Sequence, residues 1–189
     1  MKAAYVAVLV ASSAFAQNPD LVPHAQPACG PMNVQFQVKT DSTQHPDAQP
    51  EAGKALVYVV EEQKFRVFRD VTVRVGLDGE WVGATRGTSY LAFTVEPGEH
   101  HLCVDFLSDF LTPGRLISLF GLNAEPGKLY YFRARTTASG GNASRHDIAS
   151  LDLDLLNDDQ GRLLVANAPL SISHPKNSSK ATASNPPVE

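Results

Sequence analysis

The sequence is poor in the residues that mark several large classes of protein. Its 189 residues include two cysteines, one tryptophan and two methionines, and 16 Lys and Arg stand against 20 Asp and Glu. Because a nucleic-acid binder needs a surplus of cations to neutralise phosphates, this mildly acidic balance argues against one. Hydrophobic residues make up 43% and charged residues 19% of the chain. These values are typical of an ordinary globular protein with one domain.

The common catalytic and cofactor motifs are also missing. The chain contains neither a Walker pattern nor G-x-G-x-x-G, and neither H-E-x-x-H nor G-x-S-x-G. The adjacent His100 and His101 are expected on opposite faces of a strand, where they cannot easily chelate one ion. Asp152 and Asp154 are expected to face water, with a minor Ca²⁺ site as the alternative. We therefore predict no enzyme, no catalytic residue, no cofactor and no metal.

The first 16 residues have the organisation of a secretory leader. Lys2 precedes an uncharged apolar and small-residue run, and residues 14–16 (AFA) match the small-x-small pattern that signal peptidase recognises. The run is shorter than the roughly 20 residues that a membrane-spanning helix needs. We expect cleavage between Ala16 and Gln17 and a soluble product in the periplasm or outside the cell. A buried N-terminal helix is the alternative.

The two cysteines have a default interpretation once export is assumed. Cys29 does not directly follow the apolar run, so no lipid anchor is predicted. In an oxidising compartment Cys29 and Cys103 are expected to pair, which would fasten an N-terminal arm to a central strand. Two alternatives stay open at this point. The thiols are free and structural, or Cys103 is a reactive thiol activated by His100 or His101.

Strand signals dominate the middle of the chain. Residues 55–60 (ALVYVV) are a nearly continuous β-branched and aromatic run, which predicts a strand covered on both faces. Asp78-Gly79 favours a type I′ hairpin turn, and two Glu-Pro-Gly turns precede later strands. Further strands are predicted around residues 34–38, 71–77, 90–95, 100–106, 129–135 and 151–155. About seven short strands separated by Gly/Pro turns predict a mainly β fold, an antiparallel β-sandwich with one or two short helices.

These signals divide the chain into four segments. After the leader at 1–16 we expect a loop-rich N-terminal arm with one strand at 17–52 and a β-sandwich domain at 53–170. Residues 171–189 are rich in Ser, Asn and Pro and have little to bury, so a disordered tail is predicted there.

Two segments have helical or partner-binding features. A short helix is expected at 158–166, where acidic residues at the start complement the helix dipole. Residues 106–122 are apolar and irregular and contain Pro113-Gly114. They are expected to form a short helix that caps the sandwich, or alternatively an exposed apolar patch for a partner or a membrane surface. The residues of this candidate partner patch are Phe110, Leu111, Leu116, Ile117, Leu119 and Phe120.

An ordered series of turn-and-strand pieces spans residues 53 to about 156. It comprises Gly53–Val59, Leu77–Gly83, Glu96–His100 and Ala124–Phe132. In order and spacing this series resembles the domain of unknown function 2846 family of exported bacterial proteins. The stretch from Leu77 to His100 also resembles PEGA-type surface domains, which share a DG…G…PGeH pattern. The resemblance implies an envelope-associated β-sandwich and supplies no catalytic residues.

The expected function follows from these observations. We predict an exported, non-enzymatic β-sandwich module of unknown role that binds a protein partner in the bacterial cell envelope, with no transmembrane span. The alternative is a carbohydrate-binding or glycoside-acting secreted protein, in which Trp81 and Tyr90 would form a sugar-stacking platform. Core filling is the expected role of these two rings.

Overall fold

The computed structural model describes residues 28–45, 49–63, 71–107, 116–138 and 148–176. Within these ranges the chain forms ten strands and one helix, and the mainly β prediction is confirmed. The elements in chain order are β1 (Phe36–Asp41), β2 (Ala55–Gln63), β3 (Thr72–Leu77), β4 (Glu80–Arg86), β5 (Tyr90–Val95), β6 (Gly98–Leu107), β7 (Ile117–Ala124), β8 (Leu129–Ala138), β9 (Ile148–Leu156), α1 (Asp158–Ala166) and β10 (Leu170–Pro175).

The larger sheet has six strands in the order β1-β10-β5-β2-β8-β9. Its centre is β2, in which residues 55–61 are all buried, so the prediction of a strand covered on both faces is confirmed. The sheet is mixed, because β2 pairs parallel with β8 and β10 pairs parallel with β5. Parallel neighbours require long crossover connections, which local turn signals do not reveal.

The smaller sheet has four antiparallel strands in the order β4-β3-β6-β7. The predicted turn at Asp78-Gly79 joins β3 to β4, and both residues have positive φ, 50° and 91°. A shift of register between Val75 and Gly76 leaves Val82 without a partner opposite it on β3. This β-bulge places Trp81 opposite Gly76, on the outer face of the sheet. In a regular strand, Trp81 would face inward like Gly83, which lies two residues further along β4.

The two sheets pack face to face over one main core. Alternate residues of both sheets meet there, including Val57 and Val59 of β2, Val73 and Val75 of β3 and Phe132 of β8. The sheet edges are close together on both sides: the amide of Leu153 on β9 donates to Ser118 Oγ on β7 at 3.2 Å. On the other side, the amide of Ala84 on β4 donates to Ser173 Oγ on β10 at 3.0 Å.

Helix α1 covers part of the outer face of the larger sheet, and its predicted position is confirmed. It begins after Asn157, whose side chain accepts a hydrogen bond from the amide of Gln160 and so caps the helix. Beneath it the rings of Tyr58 and Tyr131 stack with centroids 5.1 Å apart. This second apolar cluster sits outside the sandwich core and binds the helix to the sheet.

Several predicted boundaries are wrong. Ten strands are present where about seven were expected. The expected helix at 106–122 is absent from its described part, because Phe106 lies in β6 and residues 117–124 form β7. The predicted disordered tail is wrong at its start, because residues 171–175 belong to β10, which pairs with β1 over six residues. The sandwich therefore extends into both the predicted arm and the predicted tail.

Some predictions fall outside the described residues. These are the leader at 1–16 with its cleavage site at Ala16 and Gln17, the patch residues Phe110 and Leu111, and the tail from residue 177 onward. In the described part of the chain, no helix has the length and apolar character that crossing a membrane requires.

The contact between α1 and β8 yields a stability prediction. A Cβ on the buried Gly161 would overlap the Cβ and ring atoms of Tyr131. Alanine normally stabilises a helix interior by about 1 kcal/mol relative to glycine. Here the overlap should dominate, and Gly161→Ala should lower the free energy of unfolding by about 1–2 kcal/mol. Urea unfolding measures the change. The control is Leu163→Ala on the exposed side of α1, which should change the free energy of unfolding by less than about 0.5 kcal/mol. A stabilised Gly161→Ala variant would contradict the close packing of Gly161 against Tyr131.

Candidate functional site

The outer face of the smaller sheet carries the N-terminal arm. Here the arm means residues 28–34, which precede β1. Cys29 forms a disulfide with Cys103 of β6, with 5.2 Å between the two Cα atoms, so the predicted pairing is confirmed. The bond indicates an oxidising compartment. It also removes the alternative of a free Cys103 thiol activated by a neighbouring histidine.

Close approach of the arm requires two glycines. Gly76 of β3 lies opposite Cys103, and a Cβ on it would stand 2.9 Å from the carbonyl oxygen of Ala28. A Cβ on Gly30 in the arm would stand 2.5 Å from Cδ1 of Trp81. Both distances are too short for carbon in van der Waals contact. The arm can therefore lie directly on the backbone of β3 and on the indole ring.

Arg74 is the main polar contact between the sheet and the arm. Its side chain is 4% exposed and forms a buried ion pair with Asp105 of β6. Its Nη1 donates to the carbonyl oxygens of Val34 at 2.7 Å and Met32 at 3.1 Å. The guanidinium lies 4.3 Å from the ring centroid of Trp81. Because a buried cation needs such compensation, the arm and the pair depend on each other.

Trp81 also fixes the arm directly. Its Nε1 donates to the carbonyl oxygen of Pro31 at 2.8 Å. Tyr90 is buried in the cluster beneath α1, against Tyr58. Trp81 and Tyr90 therefore belong to different parts of the molecule and do not form the alternative sugar-stacking platform together.

Beside the arm, the outer face of β7 exposes two large apolar side chains. Leu119 lies opposite Cys103 and Ile117 lies opposite Asp105 in the strand register, so both flank the arm's attachment. Leu119 is 62% and Ile117 38% exposed. We call Ile117 and Leu119 the apolar strip.

The apolar strip is smaller than the predicted patch. Phe120 points into the sandwich and meets Phe132 edge to face at 5.0 Å, and Leu116 packs against the main core. The two faces of β7 are thus both apolar, one buried and one exposed. Of the described patch residues, Ile117 and Leu119 are exposed whereas Leu116 and Phe120 pack against the core. That a partner binds here stays a prediction.

A second group of polar residues lies at the end of the sandwich where β2, β4, β6 and β8 end. Glu61 of β2 faces inward and is fully buried. Its Oε2 lies 2.7 Å from the hydroxyl of Thr85, and its Oε1 accepts from Nε2 of Gln63 at 2.6 Å. The Thr85 hydroxyl also lies 3.3 Å from the carbonyl oxygen of Val73. The Thr85 hydroxyl is thus placed to donate to either acceptor, and the oxygen of Glu61 is the nearer of the two.

Burial raises the pKa of Glu61 to about 8, although the hydrogen bonds from Thr85 and Gln63 act in the opposite direction. This group was not predicted from the sequence. The signal was available, because Glu61 has the same strand parity as the inward-facing Val57 and Val59 and so had to enter the core.

His100 links two turns at the opposite end. Its Nδ1 lies 2.6 Å from Oδ2 of Asp78, and its Nε2 lies 2.7 Å from the carbonyl oxygen of Glu96. Burial by itself would lower the pKa of His100, but the hydrogen bonds and charges of Asp78 and Glu96 together raise it. With both ring nitrogens facing acceptors, the imidazolium holds the β3–β4 turn against the β5–β6 turn.

The paired aspartates of β9 lie on the outer face of the larger sheet. Asp154 accepts from Nη2 of Arg133 at 2.9 Å, and Asp152 is opposite Arg135 in the register. These contacts make the aspartates part of a charged cross-strand surface. Among the residues that the structure describes, no group of three or more His, Cys, Asp and Glu is placed to hold a metal ion.

Glu61 makes stability depend on pH. Its pKa is about 8 in the folded protein and near 4.5 when unfolded, so rising pH ionises the unfolded state first. Stability should fall by about 1.4 kcal/mol per pH unit between these values and then level off. Glu61→Gln imitates the protonated form and should be about 2–3 kcal/mol more stable than wild type at pH 7. Chemical unfolding from pH 4 to 9 tests this.

A matched control for that experiment is Glu62→Gln, since Glu62 faces outward, 3.6 Å from Arg133. This variant should keep the wild-type slope of the unfolding free energy against pH between the unfolded and folded pKa values of Glu61. An unchanged slope in Glu61→Gln would refute the buried protonated carboxyl.

The His100 link makes a prediction of opposite sign. A raised folded pKa means that its stabilisation is complete below the unfolded pKa of about 6.5 and is lost as pH rises through the folded value. His100→Leu should therefore be less stable than wild type by about 1–2 kcal/mol at pH 6, with a smaller difference at higher pH. His101→Leu, at an exposed neighbouring position, is the control. A pH-independent difference would show that His100 acts by packing alone.

No family model, no curated protein and no solved structure matches this chain. The resemblance to the domain of unknown function 2846 family and to PEGA-type domains therefore stays a prediction.

Proposed function

We propose that this protein is an exported, non-enzymatic β-sandwich module that binds a protein partner in the bacterial cell envelope through the outer face of its smaller sheet. The observation that carries the proposal is the apolar strip. Ile117 and Leu119 are exposed side by side on one face of an edge strand, next to an arm fixed by a disulfide.

The composition of β7 supports this proposal. Edge strands are normally protected from other proteins by charged residues or proline. The segment Ile117–Ala124 (ISLFGLNA) contains neither. By contrast, β9 at the edge of the larger sheet presents Asp152 and Asp154. An unprotected apolar strip on one edge is the arrangement expected where a partner covers it.

The rigidity around the strip also supports binding. The disulfide and the Arg74–Asp105 pair lie directly beside Leu119 and Ile117 in the register. Side chains held on such a surface lose little conformational freedom when a partner docks, which favours affinity. Export is supported by the disulfide and by the leader-like first 16 residues.

Removing the apolar strip should abolish partner binding. With the double variant Ile117→Ser and Leu119→Ser, the amount of protein captured from envelope extracts of the source cell should fall at least tenfold, because exposed apolar anchors carry much of an interface's free energy. Quantitative mass spectrometry of crosslinked, affinity-purified complexes gives the measurement.

The control is Leu163→Ser, which removes a side chain of similar exposure, 64%, from α1 on the larger sheet. It should retain the captured proteins, and all variants should unfold at nearly the wild-type temperature. If wild type, the double variant and the control capture the same set, partner binding through the strip is wrong.

A further inference from the structure

Strand β7 is an edge of the smaller sheet, and among the described strands it is hydrogen-bonded to β6 alone. The pairing with β6 shows which backbone groups are left over. The amide of Phe106 donates to the carbonyl oxygen of Leu116 at 3.1 Å. Opposite residues of an antiparallel ladder alternate between hydrogen-bonded and non-hydrogen-bonded pairs. The N–H and C=O groups of Ile117, Leu119 and Gly121 therefore point away from β6, toward the open edge.

Two further contacts agree with this alternation. His101 lies opposite Gly121, and its carbonyl oxygen accepts from the amide of Asp78 at 2.9 Å, so the backbone groups of His101 point away from β7. Strand β9 of the larger sheet contacts β7 on its inner face, through Ser118, which has the inward parity of Phe120. The described part of the chain therefore supplies no strand that pairs with the open edge of β7.

The composition of β7 differs from that of the other three edge strands. Strands β1, β4 and β9 each contain charged residues: Lys39 and Asp41, Glu80 and Arg86, and Asp152 and Asp154. Strand β7 contains none. Two-fold symmetry brings an edge strand against its own copy, so a charge near the axis meets the same charge. Of the four described edges, β7 is the one that can pair with itself without this repulsion.

The outer face of β7 has a projecting side chain next to an open position. Leu119 is 62% exposed, whereas a Cβ on Gly121 would meet no atom of the described residues within 4 Å. When two copies of β7 pair antiparallel about Phe120, Leu119 of each copy lies opposite Gly121 of the other. Both residues have backbone groups on the open edge, so each such pair exchanges two hydrogen bonds. The ladder then runs from Ile117 to Asn123 and uses nearly the whole strand.

We propose that β7 pairs antiparallel with β7 of a second copy of this chain, with Leu119 opposite Gly121. The two four-stranded sheets then form one continuous sheet across a two-fold axis. The apolar strips of the two copies lie next to each other on the outer face of this sheet. The inference goes beyond the proposed function, because it depends on the backbone groups of an edge strand and requires no envelope partner.

The first test removes an edge donor that only the second copy uses. Gly121→Pro loses no hydrogen bond to β6, and proline is tolerated on an edge strand where its nitrogen faces outward. Because two-fold symmetry removes two hydrogen bonds at once, the dissociation constant of the dimer should rise at least about tenfold. Sedimentation equilibrium of the full chain gives the constant. The control is Gly121→Ala, which keeps the donor, adds a Cβ in open space and should dimerise like wild type.

The unfolding temperature shows whether each variant is folded. A wild-type protein that sediments as a monomer at every concentration would overturn the proposal, and so would a folded Gly121→Pro with the wild-type dissociation constant. If wild type is a monomer and Gly121→Pro captures less envelope protein, a strand of another protein occupies the edge and the second copy is ruled out. Capture through the apolar strip is judged separately, by the variants of Ile117 and Leu119.

Cysteine crosslinking tests the register and does not depend on the proline variant. Leu119→Cys and Gly121→Cys each have one free thiol, because Cys29 and Cys103 are bonded to each other. In the proposed register the two positions are opposite, with Cα atoms about 5.5 Å apart, which a disulfide can span. The same position in the two copies is a diagonal pair, about 7–8 Å apart, which is too far.

An equimolar mixture of the two cysteine variants is therefore expected to crosslink at least about tenfold faster than either variant alone. Oxidised glutathione accepts the two electrons and two protons released as each disulfide forms. Gel electrophoresis without reductant measures the crosslinked dimer. Equal rates in the mixture and in the single variants, or faster crosslinking of Leu119→Cys alone, would refute the pairing of Leu119 with Gly121.

Discussion

The buried ion pair between Arg74 and Asp105 is the interaction on which the smaller sheet depends. Both side chains lie on a face that would be in water if the arm were absent, and they are 4% and 1% exposed. Two charges removed from water need hydrogen bonds and a cover, or their desolvation exceeds their attraction. The main-chain carbonyls of Met32 and Val34 supply both. The disulfide then holds this cover over the pair, which explains why a seven-residue arm without regular structure can be fixed.

The outer faces of the two sheets are covered by different elements. The larger sheet is covered by α1, which packs on stacked tyrosines and leaves a charged surface of Arg133 and Asp154 beside it. The smaller sheet is covered by the arm over β3 and β6, and among the described residues this cover does not reach the outer face of β7. The exposed Ile117 and Leu119 therefore lie where the cover ends. An interaction surface here would combine the apolar side chains of β7 with the rigid polar region around the arm. Protein interfaces have the same combination, with an apolar centre and a polar rim.

Local patterns were sufficient for the parts of the fold that local chemistry decides. The apolar run of β2, the Asp78-Gly79 turn and the acidic start of α1 each act within a few residues, and each was predicted at its observed place. Strand β7 was missed because both of its faces are apolar, which hides the alternation of a strand. Strand β10 was missed because its Ser-containing sequence is ordered by a six-residue ladder with β1 and one residue pair with β5, which local patterns do not reveal. The alternation of β3 puts Arg74 on the outer face of the sheet, but its burial depends on Met32 and Val34, 42 and 40 positions away.

The cysteine pair also constrains how the chain can reach this structure. Its members are 74 positions apart, and β2 pairs in parallel with β8 across a similar distance. Such non-local pairings make folding slow, because chain entropy is lost before the contacts form. Yet the chain has only two cysteines, so a single intramolecular pairing exists and no scrambled isomer can trap a monomer. Oxidation can therefore occur early or late in folding without forming a wrong disulfide within the chain. Strand assembly, rather than disulfide exchange, then limits the rate of folding.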